Sequence, residues 1–421
     1  KFMLFCQRLS KVKTTTLIKT MFPSANIFKL SEYDAVALDF DNTLVQYNLT
    51  NLFQLHYSYL TKHLIEKNGY HGLQSEMNKE DIDFIRRGLF MDFKRGNVID
   101  ISAEGFIVTA SHGMKKLSKQ EIIGLYGQEM RWSVTDLFIK DKLALWEGPA
   151  SNETRTFLDY SDITGTLVFA KTIDLLDKNK RGDYSMVWPH LLEAIIDMYR
   201  LESDFTNTVL NSMPLYVHKC DSEVIEFLKK LKQNCKLLLI TGSPPDLINK
   251  IADYTIGNGW ENFFHTIVYS VKKPAFFTGN NIPFLDIYNH KIEMDSSQGI
   301  YQRGNWSELY KTIERELGRP AKCVYLGDSV IQDVYATSMA KSPIDSVAVI
   351  EEALTDAIFP GNHPHQDYLR SEYWGSYFGE ANRTSVMGDI IKTYSKLCVP
   401  SIAYLAFKPI DYQHIPFWLT K

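Results

Sequence analysis

Cysteine is scarce in this chain: five residues in 421, at Cys6, Cys220, Cys235, Cys323 and Cys398, far apart and without a C-x-x-C pair. That excludes a zinc knuckle and a disulfide framework, and it is the usage expected in a reducing compartment. Long apolar runs are missing too. None approaches the ~20 residues needed to cross a bilayer, so no membrane span is expected. Net positive charge is also lacking, since 46 Lys and Arg against 50 Asp and Glu leave −4. No global field therefore draws a nucleic-acid polymer, and a small anionic substrate has to be held by a local cluster or a metal. Between Lys1 and Ser31 the missing residues are the acidic ones, while Lys1, Arg8, Lys11, Lys13, Lys19 and Lys29 are basic. Residues 1–33 read as a basic leader, either disordered or an organelle presequence. The expected location is cytoplasmic, with mitochondrial as the alternative.

What is present is the profile of a soluble globular protein, 45% hydrophobic and 23% charged, and long enough for two or more domains. The most informative stretch is Asp39-Phe40-Asp41-Asn42-Thr43, directly after the apolar run Ala35–Leu38. It sets two carboxylates at the C-terminal mouth of a buried strand, where open α/β sheets collect their ligands. In a continuing strand both would face one way, but Asn42-Thr43 predicts a turn there. One carboxylate can attack while the other manages a proton. Alone, the pair also fits an Asx-turn that closes a strand.

Leu52 to Lys67 carries a helical pattern, and 88–97 with 105–108 reads as two short strands around a turn. His112 is either a ligand group or a turn histidine satisfied by neighbouring backbone. Helical patterns resume over 187–199 and 222–231. Then strands and helices alternate: strand 236–240, helix from Asp246, strand 265–269, helix 306–317, strand 323–326, helix from Gln332, strand 347–350. This alternation predicts an α/β fold with a doubly wound parallel sheet, to which the first strand belongs by composition. The expected organisation is a catalytic core over 34–50 plus 220–354, a large insertion over 51–219, and a tail over 355–421 that wraps the core.

Three more strand ends carry polar groups. Thr241-Gly242-Ser243 offers a hydroxyl and turn amides to a phosphate, Lys272-Lys273-Pro274 offers an ammonium, and Gly327-Asp328 with Asp333 offers two further carboxylates. Each is ordinary alone; in this order at consecutive strand ends they form a pattern. The chain resembles the haloacid dehalogenase (HAD) superfamily of phosphotransfer enzymes, whose four motifs match Asp39/Asp41, Thr241, Lys273 and Asp328/Asp333. The run Gly88 to Asn97, the element Ala110-Ser111-His112-Gly113, Lys273-Pro274, Gly304-Asn305 and Trp374-Gly375-Ser376 look like the 5'-nucleotidase domain-containing proteins, relatives of cytosolic purine 5'-nucleotidase. That similarity covers roughly residues 34 to 410.

The resemblance implies a Rossmann-like HAD core with an inserted cap, and a role for each motif residue. Asp39 would attack phosphorus to form an aspartyl-phosphate, and Asp41 would protonate the leaving oxygen and then activate water. Asp39, Asp328 and the backbone carbonyl of Asp41 would hold Mg²⁺, a hard ion that takes oxygen ligands. Lys273 is preferred to Lys272 because the family's lysine precedes proline; Asp333 would orient that lysine or a metal-bound water. Thr241, with Gly242 and Ser243, would bind phosphoryl oxygens.

A cap of this size favours a small phosphorylated metabolite. The implied substrate is a nucleoside 5'-monophosphate. The alternatives are a sugar phosphate or other small phosphomonoester, or a binding or scaffold protein with little turnover; a homo-oligomer is left open. Where the purine enzymes' cap helix supplies an arginine and an aspartate, Leu191 to Ile196 is mainly apolar. Trp188, Tyr199, Arg200 and Phe205 either replace that surface or pack into the cap.

Overall fold

In the computed structural model the described residues are 27–145, 149–279, 281–355, 358–359, 370–380 and 382–419. The leader expected over 1–33 lies outside them as far as residue 26, but its last residues belong to the fold, with Phe28, Leu30 and Tyr33 buried in the core; the tail expected over 355–421 is described only in part. The chain enters its main sheet with β1 (Ala35–Leu38), whose four residues are all buried, as a central parallel strand covered on both faces requires. It then leaves that sheet for roughly 200 residues.

The helix Leu49–Asn68 opens this excursion, its first turn capped by the Asn48 side chain on the Asn51 amide and its end closed by Gly69 at φ 73. An antiparallel sheet follows: β2 (Phe90–Asp92), β3 (Asn97–Ile101), β4 (Ile107–His112), β5 (Lys115–Lys116) and β6 (Thr154–Thr156), in the order β5-β4-β3-β2-β6. His112 thus sits in a strand rather than a turn. Side chains hold its ring, Nδ1 to Asn97 at 2.9 Å and Nε2 to Asp177 at 2.8 Å. Helices Thr164–Lys178, Val187–Met198 and Asp204–Asn211 follow in the segment.

The chain returns as β7 (Lys236–Ile240), β8 (Thr266–Tyr269), β9 (Phe284–Leu285), β10 (Gly299–Arg303), β11 (Cys323–Gly327) and β12 (Asp345–Val349). A hairpin of β13 (Gly379–Glu380) and β14 (Arg383–Thr384) precedes β15 (Leu397–Val399). The main sheet runs β15-β12-β11-β1-β7-β8-β10-β9, parallel throughout except for β9. Leu38 pairs with Leu326 on one side and Leu239 on the other. The chain first extends the sheet from β1 towards β10 and then crosses to β11, so the strand order reverses beside β1. A crevice opens at such a point. This is the expected α/β core.

Further elements differ from the sequence reading. The tail over 355–421 does not only wrap the core, because Leu397–Val399 pairs in parallel with Val347–Val349 and extends the sheet; a three-residue strand is too short to show as an apolar run. Gly299–Arg303 is a strand with Ile300 43% exposed and Gln302 buried, a pattern that hides it. After β11 the chain forms a π-helical turn over Val330–Tyr335 and a short α-turn at Ala336–Ser338 instead of a regular helix.

Packing ties the long excursion to the sheet. Phe90, Ile99 and Phe138 share one apolar cluster with Val330, Ile350 and Ile390, while Phe53, Leu60 and Phe169 share another with Leu38, Leu239 and Val324. Each such side chain contributes about 1.5–3 kcal/mol on full burial. No helix among the described residues is long and apolar enough to cross a membrane.

Candidate active site

The polar groups of four strand ends meet in a cavity of roughly 160 Å³ beside β1, lined among others by Asp39, Asp41, Gly242, Ser243, Lys273 and Asp328. Asp39 still holds the register of the sheet, its amide donating to the Leu326 carbonyl at 2.9 Å. The chain then turns as expected. Leu44 and Val45 amides donate back to the Phe40 carbonyl at 3.0 and 2.9 Å, and Asn42 takes φ 54, a conformation asparagine tolerates better than most residues. The turn brings Asp41 to the same cavity as Asp39.

Lys273 is the electrostatic hub. Its Nζ donates to Asp39 Oδ2 at 2.7 Å, Asp333 Oδ1 at 2.8 Å and the Tyr325 hydroxyl at 3.1 Å. Burial alone would favour the neutral amine, but Asp333 and Asp39 outweigh it and hold the ammonium well above its ordinary value. Burial pushes the Asp333 carboxyl up to about 7 against the pull of Lys273. Its second oxygen accepts from the Ser329 amide at 3.0 Å. Gly327 makes this approach possible, because a Cβ there would sit 2.3 Å from Asp333 Oδ2.

Asp41 is held at both oxygens. The Tyr47 hydroxyl donates to Oδ1 at 2.5 Å and the Ser243 hydroxyl to Oδ2 at 2.7 Å. Burial raises its pKa, and the two donors oppose that rise. Thr241 lies beneath the cavity, fully buried, its hydroxyl accepting from the Ser243 amide at 3.1 Å. Gly242 and Ser243 line the cavity itself.

Asp39, Asp328 and Asp333 bring carboxylate oxygens within 4.8 Å of one another. Asp328 is 4% exposed; its Oδ2 accepts no hydrogen bond among the described residues and has Arg87 Nη1 as an ion-pair partner at 3.6 Å. Burial, then Asp159 and Asp333, push its pKa well up. An all-oxygen set in which one buried carboxylate oxygen accepts no hydrogen bond fits a hard divalent cation.

Residues 24–357 match the 5' nucleotidase family. The chain belongs to that family. Membership makes it a phosphoric monoester hydrolase, and the family implies a divalent metal, which the carboxylates just described are suited to hold. Among 5'-nucleotidase relatives, 5'-nucleotidase domain-containing protein 1 of Homo sapiens is 27% identical over 93% of this chain and 94% of its own length. Its Bos taurus counterpart is 28% identical over the same shares. The crystal structure of a protein described as a phosphoglycolate phosphatase from Lactobacillus delbrueckii subsp. bulgaricus aligns over 90% of this chain and 98% of its own, at 11% identity and a TM-score of 0.33. A likeness that weak bears on neither fold nor function.

Several site residues of this 5' nucleotidase family member were not visible in its sequence. Arg87, fully buried, donates from Nε and Nη2 to the two oxygens of Glu352 at 2.8 and 2.6 Å, and Tyr160 donates to the same carboxylate at 2.6 Å. The guanidinium lies over the Tyr160 and Tyr377 rings. Its Nη1 reaches the Leu158 carbonyl at 3.2 Å and the Asp328 carbonyl at 3.3 Å. Two adjacent arginines before a glycine read as surface charge in sequence, and nothing local announces the distant partner. Asp159 and Ser161, also from the excursion, line the cavity.

The aromatic residues of the excursion are largely committed elsewhere. Trp188 stacks on Phe93 at 4.9 Å, and Phe205 stacks on His56 at 4.8 Å. Arg200 pairs with Asp197 at 3.1 Å. Tyr199 donates to the carbonyl of Ser161, which lines the cavity.

Proposed function

We propose that the chain hydrolyses a nucleoside 5'-monophosphate or a similarly small phosphomonoester with Mg²⁺ as the metal and Asp39 as the nucleophile. The observation that carries this is Lys273, held within 2.8 Å of both Asp39 and Asp333, beside an Asp328 oxygen that accepts no hydrogen bond. A phosphate dianion brought to ~4 Å from a carboxylate meets a repulsion of about 4 kcal/mol per charge pair at an effective dielectric of 20. Lys273 lowers that barrier from the Asp39 side. Asp39 and Asp328, with the Asp41 carbonyl, would hold Mg²⁺, which supplies charge neutralisation at the phosphoryl oxygens; Asp333 fixes the lysine.

In the first step an Asp39 oxygen bonds to phosphorus while the ester P–O bond breaks, and Asp41 gives its proton to the departing oxygen. Asp41 then takes a proton from water, whose oxygen displaces Asp39 and releases inorganic phosphate. Tyr47 and Ser243 orient Asp41 for both transfers. Ser243 and the Gly242 turn cradle phosphoryl oxygens, with Thr241 bracing the turn from below. Residues 51–219 serve as the cap, with Asp159 and Ser161 on the cavity wall.

The nucleotide is suggested by the names of the relatives. A sugar phosphate is the second reading, supported by the cavity lining, where Asn42, Asp159, Ser161 and Gln332 are polar and no aromatic ring takes part among the described residues. Phosphate release with Mg²⁺ from a panel of nucleotides and sugar phosphates separates the two. Asp39→Asn should reduce release by at least about 10³-fold; equal, background-level rates for wild type and variant would refute hydrolysis through Asp39.

A further inference from the structure

We propose that Asp159, carried by the inserted segment, is a positioning residue of the metal centre: through water, it holds the coordination shell of the cation bound by Asp39 and Asp328. This rests on the Mg²⁺ reading above. Asp159 lines the same cavity as Asp39, Asp328 and Ser329. Its Oδ2 is fixed by the Gln332 side-chain amide at 3.2 Å, and the Ser329 hydroxyl interacts with the carboxylate, while Oδ1 is buried with no hydrogen bond of normal geometry among the described residues.

Two neighbours on that wall are only sparsely partnered. Asp328 Oδ2, in a residue 4% exposed, accepts no hydrogen bond among the described residues and has Arg87 Nη1 as an ion-pair partner at 3.6 Å, and the Ser329 hydroxyl, in a residue 3% exposed, interacts with the Asp159 carboxylate itself. Buried acceptors this sparsely satisfied leave room for a further donor. Asp159 falls outside the three carboxylates close enough to share one ion, so it would meet the ion's water rather than the ion. Mg²⁺ dehydrates reluctantly and keeps several waters, and each has protons to donate. A phosphate oxygen has none, and two anions would repel.

The spacing is braced by Arg87. One nitrogen of its guanidinium donates both to the Leu158 carbonyl, next to Asp159, and to the Asp328 carbonyl. Tyr160, on the other side of Asp159, is tied to Glu352, which also holds Arg87. The inserted segment and the metal-ligand loop are thus clamped at one distance. Outer groups held this way tune the affinity of a metal site.

The test is calorimetric titration of the full, substrate-free chain with Mg²⁺, alongside thermal midpoints with and without the ion. Asp159→Asn keeps the side-chain volume and an oxygen for Gln332. It should weaken Mg²⁺ binding about 10-fold or more, while the metal-free midpoint stays level or rises because repulsion with Asp328 is relieved. Affinity within twofold of wild type would overturn the proposal, and a raised KM alongside it would place Asp159 on the leaving group instead. If Asp159→Asn does not fold, Gln332→Ala decides: it frees the carboxylate without removing it and should weaken Mg²⁺ binding severalfold, and unchanged affinity would overturn the proposal. A wild type that binds no Mg²⁺ would overturn the metal reading and this one with it.

Discussion

Single atoms decide whether this site exists. Gly327 shows it most directly, since a methyl group there would collide with Asp333 at 2.3 Å from Oδ2 and 2.5 Å from Cγ. Gly327→Ala should destabilise the fold by about 1–3 kcal/mol, read by urea unfolding. It should also cut phosphate release at least tenfold, because the displaced Asp333 no longer fixes Lys273. The motif residues were legible because each lies within a few positions of an apolar strand end: Asp39 after β1, Ser243 after β7, Lys273 after β8, Asp328 after β11. Arg87 was not, since its ion-pair partner Glu352 lies 265 positions away. Nothing in its own neighbourhood separates a fully buried arginine from a solvated one.

Elements carry their own titration. His56, on the helix Leu49–Asn68, is buried against Phe205, and burial lowers its pKa from 6.5 to about 3. Below pH 6.5 the unfolded chain takes up a proton at this imidazole that the folded chain refuses, so stability falls as pH drops. The loss at pH 4 is roughly 3 kcal/mol. His56→Phe should shrink the difference in urea midpoint between pH 7 and pH 4; an unchanged difference would show that the folded imidazole accepts the proton. Strong strands such as β7 and the helix Trp306–Leu317 were readable to the residue, because the strand is an unbroken apolar run and the helix keeps its 3.6-residue period from end to end. β15 was hidden by its length, yet it covers the edge of β12. A chain ending at Lys396 exposes that edge, and an open parallel edge recruits other strands. Light scattering should report aggregation of this truncation where the full chain stays clear.

At the scale of the molecule, the inserted segment and the main sheet share two apolar clusters. A cap built as an independent domain would melt by itself; here unfolding either part strips the other of its core. Calorimetry should show one transition, and a separate earlier one would contradict the shared packing. The doubly wound sheet was legible from alternation, but this fusion was not, since periodicity reveals which face of an element is apolar and not what covers it.

β1, at the centre of the sheet, has another implication. It leaves the ribosome roughly 200 residues before β7 and still longer before β11, the two strands that flank it. At translation rates of about 5–20 residues per second, the strand ahead of Asp39 stays unpaired for ~10 s or more. Contacts of such long sequence separation form late and slowly. Nascent chains of this protein therefore present a bare, four-residue apolar strand to the cell, a natural ligand for holding chaperones until the last third of the chain has been made.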